Sequence, residues 1–177
     1  MTRKETLQKK LFPLPKQVSE QSGQLALHSC RIIEETAAHT APAAAQLITK
    51  QMTALGISVC DDGETVITLK SAQAPEQVAV PEQGYGLNIT EKDIVLTGYG
   101  PTGLYFGATT LVQLLKTSVL PCCSILDWPD MPFRCHKVEC RFSTNQMTKQ
   151  DWIDLIDELA MHFNYMIDTL ESVMQAN

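Results

Sequence analysis

The sequence has no C-x-x-C pair, no long basic run, no apolar stretch approaching 18 residues and few aromatic side chains. Each shortage excludes something. Without a basic run, and with a net charge of −6, a nucleic-acid backbone or an anionic membrane surface is excluded as the main partner. Without a long apolar run, no helix can span a bilayer. Aromatic residues at 6% leave little material for the exposed ring platforms of a carbohydrate-binding module. The six cysteines at 30, 60, 122, 123, 135 and 140 lack the paired spacing of structural zinc sites. Cys135, His136 and Cys140 are the sharpest metal reading, and their spacing is wrong as well. No metal and no cofactor are expected, and the cysteines read as free thiols packed like small hydrophobes. Met1–Lys10 is basic, but Leu-Phe-Pro-Leu-Pro follows where a signal peptide has an apolar core, so no intact signal peptide is expected.

What is present is a globular composition: 44% hydrophobic and 19% charged over 177 residues, enough for about one domain. Leu11–Pro15 reads as an extended lead-in, because residues before proline are pushed out of the helical region. Gln24–Leu27 and Cys30–Ile33 read as strands. Ala43, Leu47, Ile48, Met52 and Leu55 recur at helical steps, with Thr40 as the cap and Gly56 as a left-handed end. Ile57–Cys60 and Thr65–Leu69 are expected to form a hairpin around Asp62-Gly63, and residues 71–84 a loop. A second hairpin is expected from Tyr85–Ile89 to Ile94–Thr97, turning at residues 90–93. Leu104, Ala108, Leu111 and Leu115 mark a second helix. The pattern predicts an α+β fold: a small, mostly antiparallel sheet with two helices packed on one face.

After Cys122 the character changes. The two prolines between Ile125 and Pro132 read as a linker. Phe133–Phe142 reads as a strand. Thr148-x-x-Asp151 opens a helix marked by Trp152, Leu155, Ile156, Leu159 and Phe163, with Asn164 as its cap, and Tyr165–Leu170 is a further strand. Strand, helix, strand is the repeating unit of a parallel α/β fold, and one unit cannot bury both faces of its strands.

Several motifs have plain readings. Gly98-Tyr99-Gly100-Pro101-Thr102-Gly103 fits Gly-x-Gly-x-x-Gly, but Pro101 removes a donor and the preceding unit is a hairpin, so a tight structural turn is expected. Asp154, Asp157 and Glu158 lie on the polar side of their helix. Asp127/Asp130 and Asp168/Glu171 are the remaining carboxylate pairs. His28, His39, His136 and His162 are scattered, and no nucleophilic triad follows from spacing. The residues alone define a fold class and stop short of a reaction.

One set of motifs goes further. Gly84-Tyr85-Gly86-Leu87-Asn88-Ile89, Ile94-Val95-Leu96-Thr97-Gly98, Gly103-Leu104-Tyr105-Phe106-Gly107, Thr110-Leu111-x-Gln113-Leu114 and Ile125-x-Asp127-x-Pro129 leading to Phe133-Arg134 occur in that order. Together with Phe12-Pro13-Leu14-Pro15 they resemble the non-catalytic domain of glycoside hydrolase family 20, the β-N-acetylhexosaminidases, followed by the start of its catalytic barrel. The resemblance implies an accessory domain at 10–120, a linker at 121–132, and at 133–177 an incomplete β-α-β start of a TIM barrel.

It also implies what the chain does. Family members cleave terminal N-acetylhexosamines with an Asp–Glu pair, in which the substrate's acetamido group is the nucleophile. That pair follows the fourth barrel strand, so no catalytic residue is expected in this chain, which alone is expected to be inactive. The glycan is the expected partner, through the missing part of the barrel. Arg141 takes the family's sugar-binding position, with Glu139 where the family has Asp. The family glycine is Cys135, and Arg141 comes one place early, which in a strand turns a side chain to the other face. Self-association through the barrel start is expected, by way of Trp152, Leu155, Ile156 and Phe163. The family suggests a periplasmic or secreted parent. The other readings are a stand-alone carbohydrate- or protein-binding module, the accessory domain of a hyaluronidase-like or α-glucuronidase enzyme, and a thiol-redox protein.

Overall fold

Alternation of apolar and polar residues builds most of the first sheet. In Thr65–Ser71, Tyr85–Ile89 and Asp93–Gly98 every second side chain is buried and its neighbours are half exposed, as when one face of a strand meets a core. The computed structural model describes Leu7 and residues 11–36, 41–100, 102–139, 147–163 and 165–169. It divides into two units, Met1–Asp130 and Met131–Asn177.

The first unit contains β1 (Gln17–Ala26), β2 (Ser29–Glu35), α1 (Ala41–Ala54), β3 (Ser58–Val59), β4 (Thr65–Ser71), β5 (Tyr85–Ile89), β6 (Asp93–Gly98), α2 (Gly103–Leu114) and β7 (Val119–Asp127). Its seven strands run in the order β1-β7-β5-β6-β4-β2-β3. In register, Ile67, Leu69, Leu87, Ile89, Ile94, Leu96 and Ile125 share the face that carries the core, and all are nearly or fully inaccessible. Leu104, Ala108, Leu111 and Leu115 of the α2 segment lie in the same core with no exposed surface. Each such leucine contributes on the order of 2 kcal/mol by leaving water.

The expected α+β architecture is present, with both helices contributing to one core, but the sheet is mixed and not mostly antiparallel. β1, β7, β5 and β6 pair antiparallel, whereas β6, β4, β2 and β3 pair parallel. The hairpin expected at Asp62-Gly63 is not formed. β3 and β4 flank β2 on opposite sides, both parallel to it. The turn instead wraps the start of β2, where Cys60 N–H donates to the Cys30 carbonyl at 3.0 Å and Glu64 N–H to Ser29 Oγ at 3.1 Å. α1 supplies the crossover that parallel neighbours require. Its buried stripe is Ala41, Ala44, Ile48 and Met52: Ile48 and Met52 are as expected, Leu47 and Leu55 are half-buried, and Ala44 takes the place of Ala43, which is exposed. Gly56 follows with φ +72°, the left-handed end read from the sequence. Thr40 lies outside the described residues.

The second hairpin matches its expected bounds closely, and Thr90 Oγ organises the turn by accepting from the Lys92 and Asp93 amides at 3.1 Å each. A larger correction concerns the expected linker at 121–132. Its first seven residues belong to β7, an interior strand paired with both β1 and β5. Pro121 lies within β7. Its missing donor is tolerated because β1 shifts register between Glu20 and Gln24, and Gln24 is the residue opposite Pro121.

The second unit contains β8 (Cys135–Glu139), α3 (Lys149–Ala160) and β9 (Tyr165–Thr169). β8 and β9 pair in parallel register, Cys135 opposite Tyr165 and Val138 opposite Asp168. α3 begins with the expected capping box, in which Asp151 N–H donates to Thr148 Oγ1 and Thr148 N–H to Asp151 Oδ2. Its apolar stripe buries nothing completely: Ile153 and Ile156 are 40% and 44% exposed. Asn164 lies outside the described residues. Among the described residues, no helix is long and apolar enough to cross a membrane.

Candidate functional site

The motif residues converge on one polar cluster. Tyr85 opens β5, Thr110 lies on the buried side of α2, and Asp127 closes β7, facing Tyr85 across the ladder. The Tyr85 hydroxyl is 2.5 Å from Thr110 Oγ1 and donates to Asp127 Oδ2 at 3.1 Å. The other oxygen, Asp127 Oδ1, accepts the backbone N–H of Lys16 at 3.0 Å. Farther along α2, Gln113 Oε1 accepts the N–H of Phe12 at 2.8 Å. The Lys16 ammonium pairs with Asp130. Residues 11–16 are therefore strapped to α2 at one end and to the close of β7 at the other.

The electrostatics follow from burial. Tyr85 is 3% exposed, and burial with the Asp127 charge beside it pushes its hydroxyl well above its ordinary value. It stays a donor. Burial also raises Asp127 from its ordinary value, against the pull of the Lys16 amide, the Tyr85 hydroxyl and the Trp128 amide. A half-buried carboxylate with each oxygen engaged is a fastening device rather than a free base. Asp127 and Asp130 thus do not act as a catalytic pair: one is bonded inward and the other holds Lys16.

The Gly98–Gly103 segment is the tight structural turn expected. Thr102 donates through N and Oγ1 to the Glu82 carbonyl at 3.1 and 2.9 Å, and Gly103 N–H reaches the Gly100 carbonyl at 3.2 Å. Donors that a phosphate requires at a helix start are used by the chain itself. At Gly103 a Cβ would lie 2.1 Å from the Gly84 carbonyl oxygen, so only glycine admits this approach. Pro101 lies outside the described residues.

Arg141, the sugar-binding residue expected from the family motif, lies outside the described residues, as do Cys140, His39 and Glu171. Asp168 is on β9 opposite Val138. Asp154, Asp157 and Glu158 are exposed on α3, and Asp154 accepts from Gln150 at 2.9 Å. Arg134 donates to the carbonyls of Met131 and His162 at 2.8 and 3.1 Å. Cys30, Cys122 and Cys123 are buried free thiols, Cys60 is exposed, and Cys135 is half-buried. Burial raises Cys123 to about 11, which leaves little thiolate near neutrality. No group of three metal-ligating side chains occurs among the described residues. An open depression of about 400 Å³ lies beside Leu14, Pro15, Lys16, Val18, Ser124 and Leu126, with no acid–base pair in it.

Among the described residues, the first unit is a mixed sheet that shares one core with two helices and is tied by the Tyr85–Thr110–Asp127 cluster. The family description "Glycosyl hydrolase family 20, domain 2" matches residues 8–128, and the chain belongs to that family. Among solved structures, the chain is similar to an exo-β-N-acetylglucosaminidase from Vibrio harveyi, at 21% identity and a TM-score of 0.72, over 93% of this chain and 26% of that one. It is also similar to the chitobiase of Flavobacterium johnsoniae, at 18% identity and a TM-score of 0.65, over 90% of this chain and 26% of that one. A β-N-acetylhexosaminidase from Bacteroides fragilis NCTC 9343 shares 19% identity and a TM-score of 0.63, over 89% and 32%. These likenesses show the fold, and the chain spans about a quarter to a third of the length of those proteins.

Sequence reasoning used Tyr85, Thr110, Gln113 and Asp127 as marks of resemblance and gave them no task. The available signal was a tyrosine and an aspartate at the ends of apolar strands and a threonine inside an apolar helix, where a buried polar group requires a partner.

Proposed function

We propose that this chain is the accessory domain and barrel opening of a β-N-acetylhexosaminidase that removes terminal N-acetylhexosamines from glycans. One observation carries the reading: a match to domain 2 of family 20 over residues 8–128, followed by a parallel strand–helix–strand unit. In this reading residues 10–120 form the core of the accessory domain, and 133–177 supply the first strand, first helix and second strand of the catalytic (β/α)₈ barrel. Arg141, which the family motif assigns to the first barrel strand, meets sugar hydroxyls. The Asp–Glu pair belongs to later barrel strands, so the chain is catalytically silent alone. The accessory domain acts as a scaffold, and its polar cluster fixes the close of β7 from which the chain continues toward the barrel. The exposed Ile153 and Ile156 of α3 make the barrel start prone to self-association.

The test is hydrolysis of an aryl N-acetyl-β-glucosaminide by this chain beside a version extended by its natural downstream sequence. Activity is expected only in the extended protein. Activity in neither overturns the assignment of the parent, and activity in the short chain overturns the placement of the catalytic pair.

A further inference from the structure

The strap has a feature that the scaffold reading does not use: its anchor at the β7 end is an ionisable group. Phe12 and Leu14 are 81% and 56% exposed, whereas Leu11 and Pro15 beside them are buried. Leu11 and Pro15 seat the segment by burial, while little apolar contact holds Phe12, Leu14 and Lys16, which rely on the polar ties. The tie at Gln113 is neutral. At the other end the N–H of Lys16 meets a carboxylate, and hydrogen bonds to an ionised acceptor are roughly twice as strong as neutral ones.

We propose that residues 11–16 form a strap that is held by ionised Asp127 and loosened when Asp127 takes up a proton. The groups facing this carboxyl are Tyr85 from β5, Thr110 from α2 behind the tyrosine, the backbone N–H of Trp128, and Lys16 from the strap, whose ammonium also pairs with Asp130. A proton arriving on Oδ2 is accommodated without disturbing the sheet. The Tyr85 hydroxyl turns its own hydrogen to Thr110 Oγ1 and accepts the new one. Oδ1 then faces Lys16 as a neutral carbonyl oxygen, and the attraction between the lysine charge and the carboxylate is gone. β5, β7 and α2 stay in place with buried Leu11 and Pro15, while Leu14 and Lys16 loosen at the rim of the depression that they line. Asp130 cannot substitute as the anchor, because its side chain is 81% exposed and an exposed ion pair contributes little.

The test is backbone ¹⁵N relaxation on the whole 177-residue chain between pH 7 and pH 4, with the Asp127 carboxyl carbon followed in parallel. Heteronuclear NOEs at Leu14 and Lys16 are expected to fall together with the Asp127 titration, while those of β5 and β7 hold. D127N is expected to show the loosened strap at pH 7 with no further pH dependence, and D130N to keep the wild-type profile. NOEs at Leu14 and Lys16 that stay constant through the Asp127 titration overturn the proposal. So does loss of the transition in D130N. Should D127N fail to fold, the wild-type and D130N profiles decide alone.

Discussion

α2 and α3 are both twelve-residue helices, and they are stabilised in opposite ways. α2 has no side-chain cap at Thr102, yet eight of its residues are buried, including Leu104, Ala108 and Leu111 with no exposed surface. α3 has a complete capping box at Thr148 and Asp151, and none of its residues is buried. One helix exists because of what surrounds it, the other because of what starts it. Short isolated helices are marginal in water, and most helical stability in proteins comes from packing an amphipathic face. α3 is therefore a helix specified by its local signal more than by its packing.

The widest gap between the two regions lies in their response to truncation. Leu111→Ala empties a fully buried site and is expected to cost about 2–5 kcal/mol in the first unit. Ile156→Ser on α3 is expected to stay within about 0.5 kcal/mol, because the side chain is 44% exposed. The two tryptophans allow the measurement: Trp128 belongs to the first unit and Trp152 to α3, so W152F and W128F backgrounds report each unit separately in urea. Equal losses at the two sites would erase the contrast. Next in size is Gly103→Ala, which sets a methyl 2.1 Å from the Gly84 oxygen at the start of α2. Overpacking of this kind costs about 1–3 kcal/mol, and an unchanged Trp128 transition would mean that the turn yields freely.

The same contrast explains what could be read beforehand. α3 was legible to its first residue, because Thr148-x-x-Asp151 is a local signal whose partners lie three positions apart. The hairpin at 90–93 was legible for the same reason. α1 was legible in Ile48 and Met52 but not in its first turn, where neighbouring alanines are nearly equivalent and the core takes Ala41 and Ala44 rather than Ala43. What failed was non-local. Whether β3 turns back on β4 or straddles β2 is decided by pairing with residues about 30 positions earlier. β7 passed for a linker because Pro129 and Pro132 outweighed Cys123 and Ile125, whose partners on β1 lie about 100 residues away. The Tyr85–Thr110–Asp127 cluster draws on three elements, so its motif residues were visible and their shared task was not.

Of smaller size is the cap of α3. Thr148→Ala removes the acceptor for the Asp151 N–H and is expected to cost about 1 kcal/mol of helix stability, read as faster amide exchange in residues 149–153. With no buried face to compensate, the whole helix is expected to fray. In a packed helix such as α2, loss of a cap loosens only the first turn. Unchanged exchange at 149–153 would mean that packing holds α3 after all.

The finest distinction is the sign of the pH response. Asp127 is raised above its ordinary value by burial, so the folded first unit binds the proton before the unfolded chain does. Its stability is expected to increase as pH falls from the raised value to the ordinary carboxylate value, and D127N is expected to abolish that increase. Loosening of the strap opposes this only locally, since the gain comes from no longer burying a charge. Asp151 is lowered by its bonds to Thr148, so its contribution is complete above the ordinary carboxylate value and is lost as pH falls through the lowered one. Acidification through the carboxylate range should therefore shift the Trp128 transition to higher urea and the Trp152 transition to lower urea, with D151N removing only the second shift. A common direction in both single-tryptophan backgrounds would show that carboxylates other than these two govern the acid response.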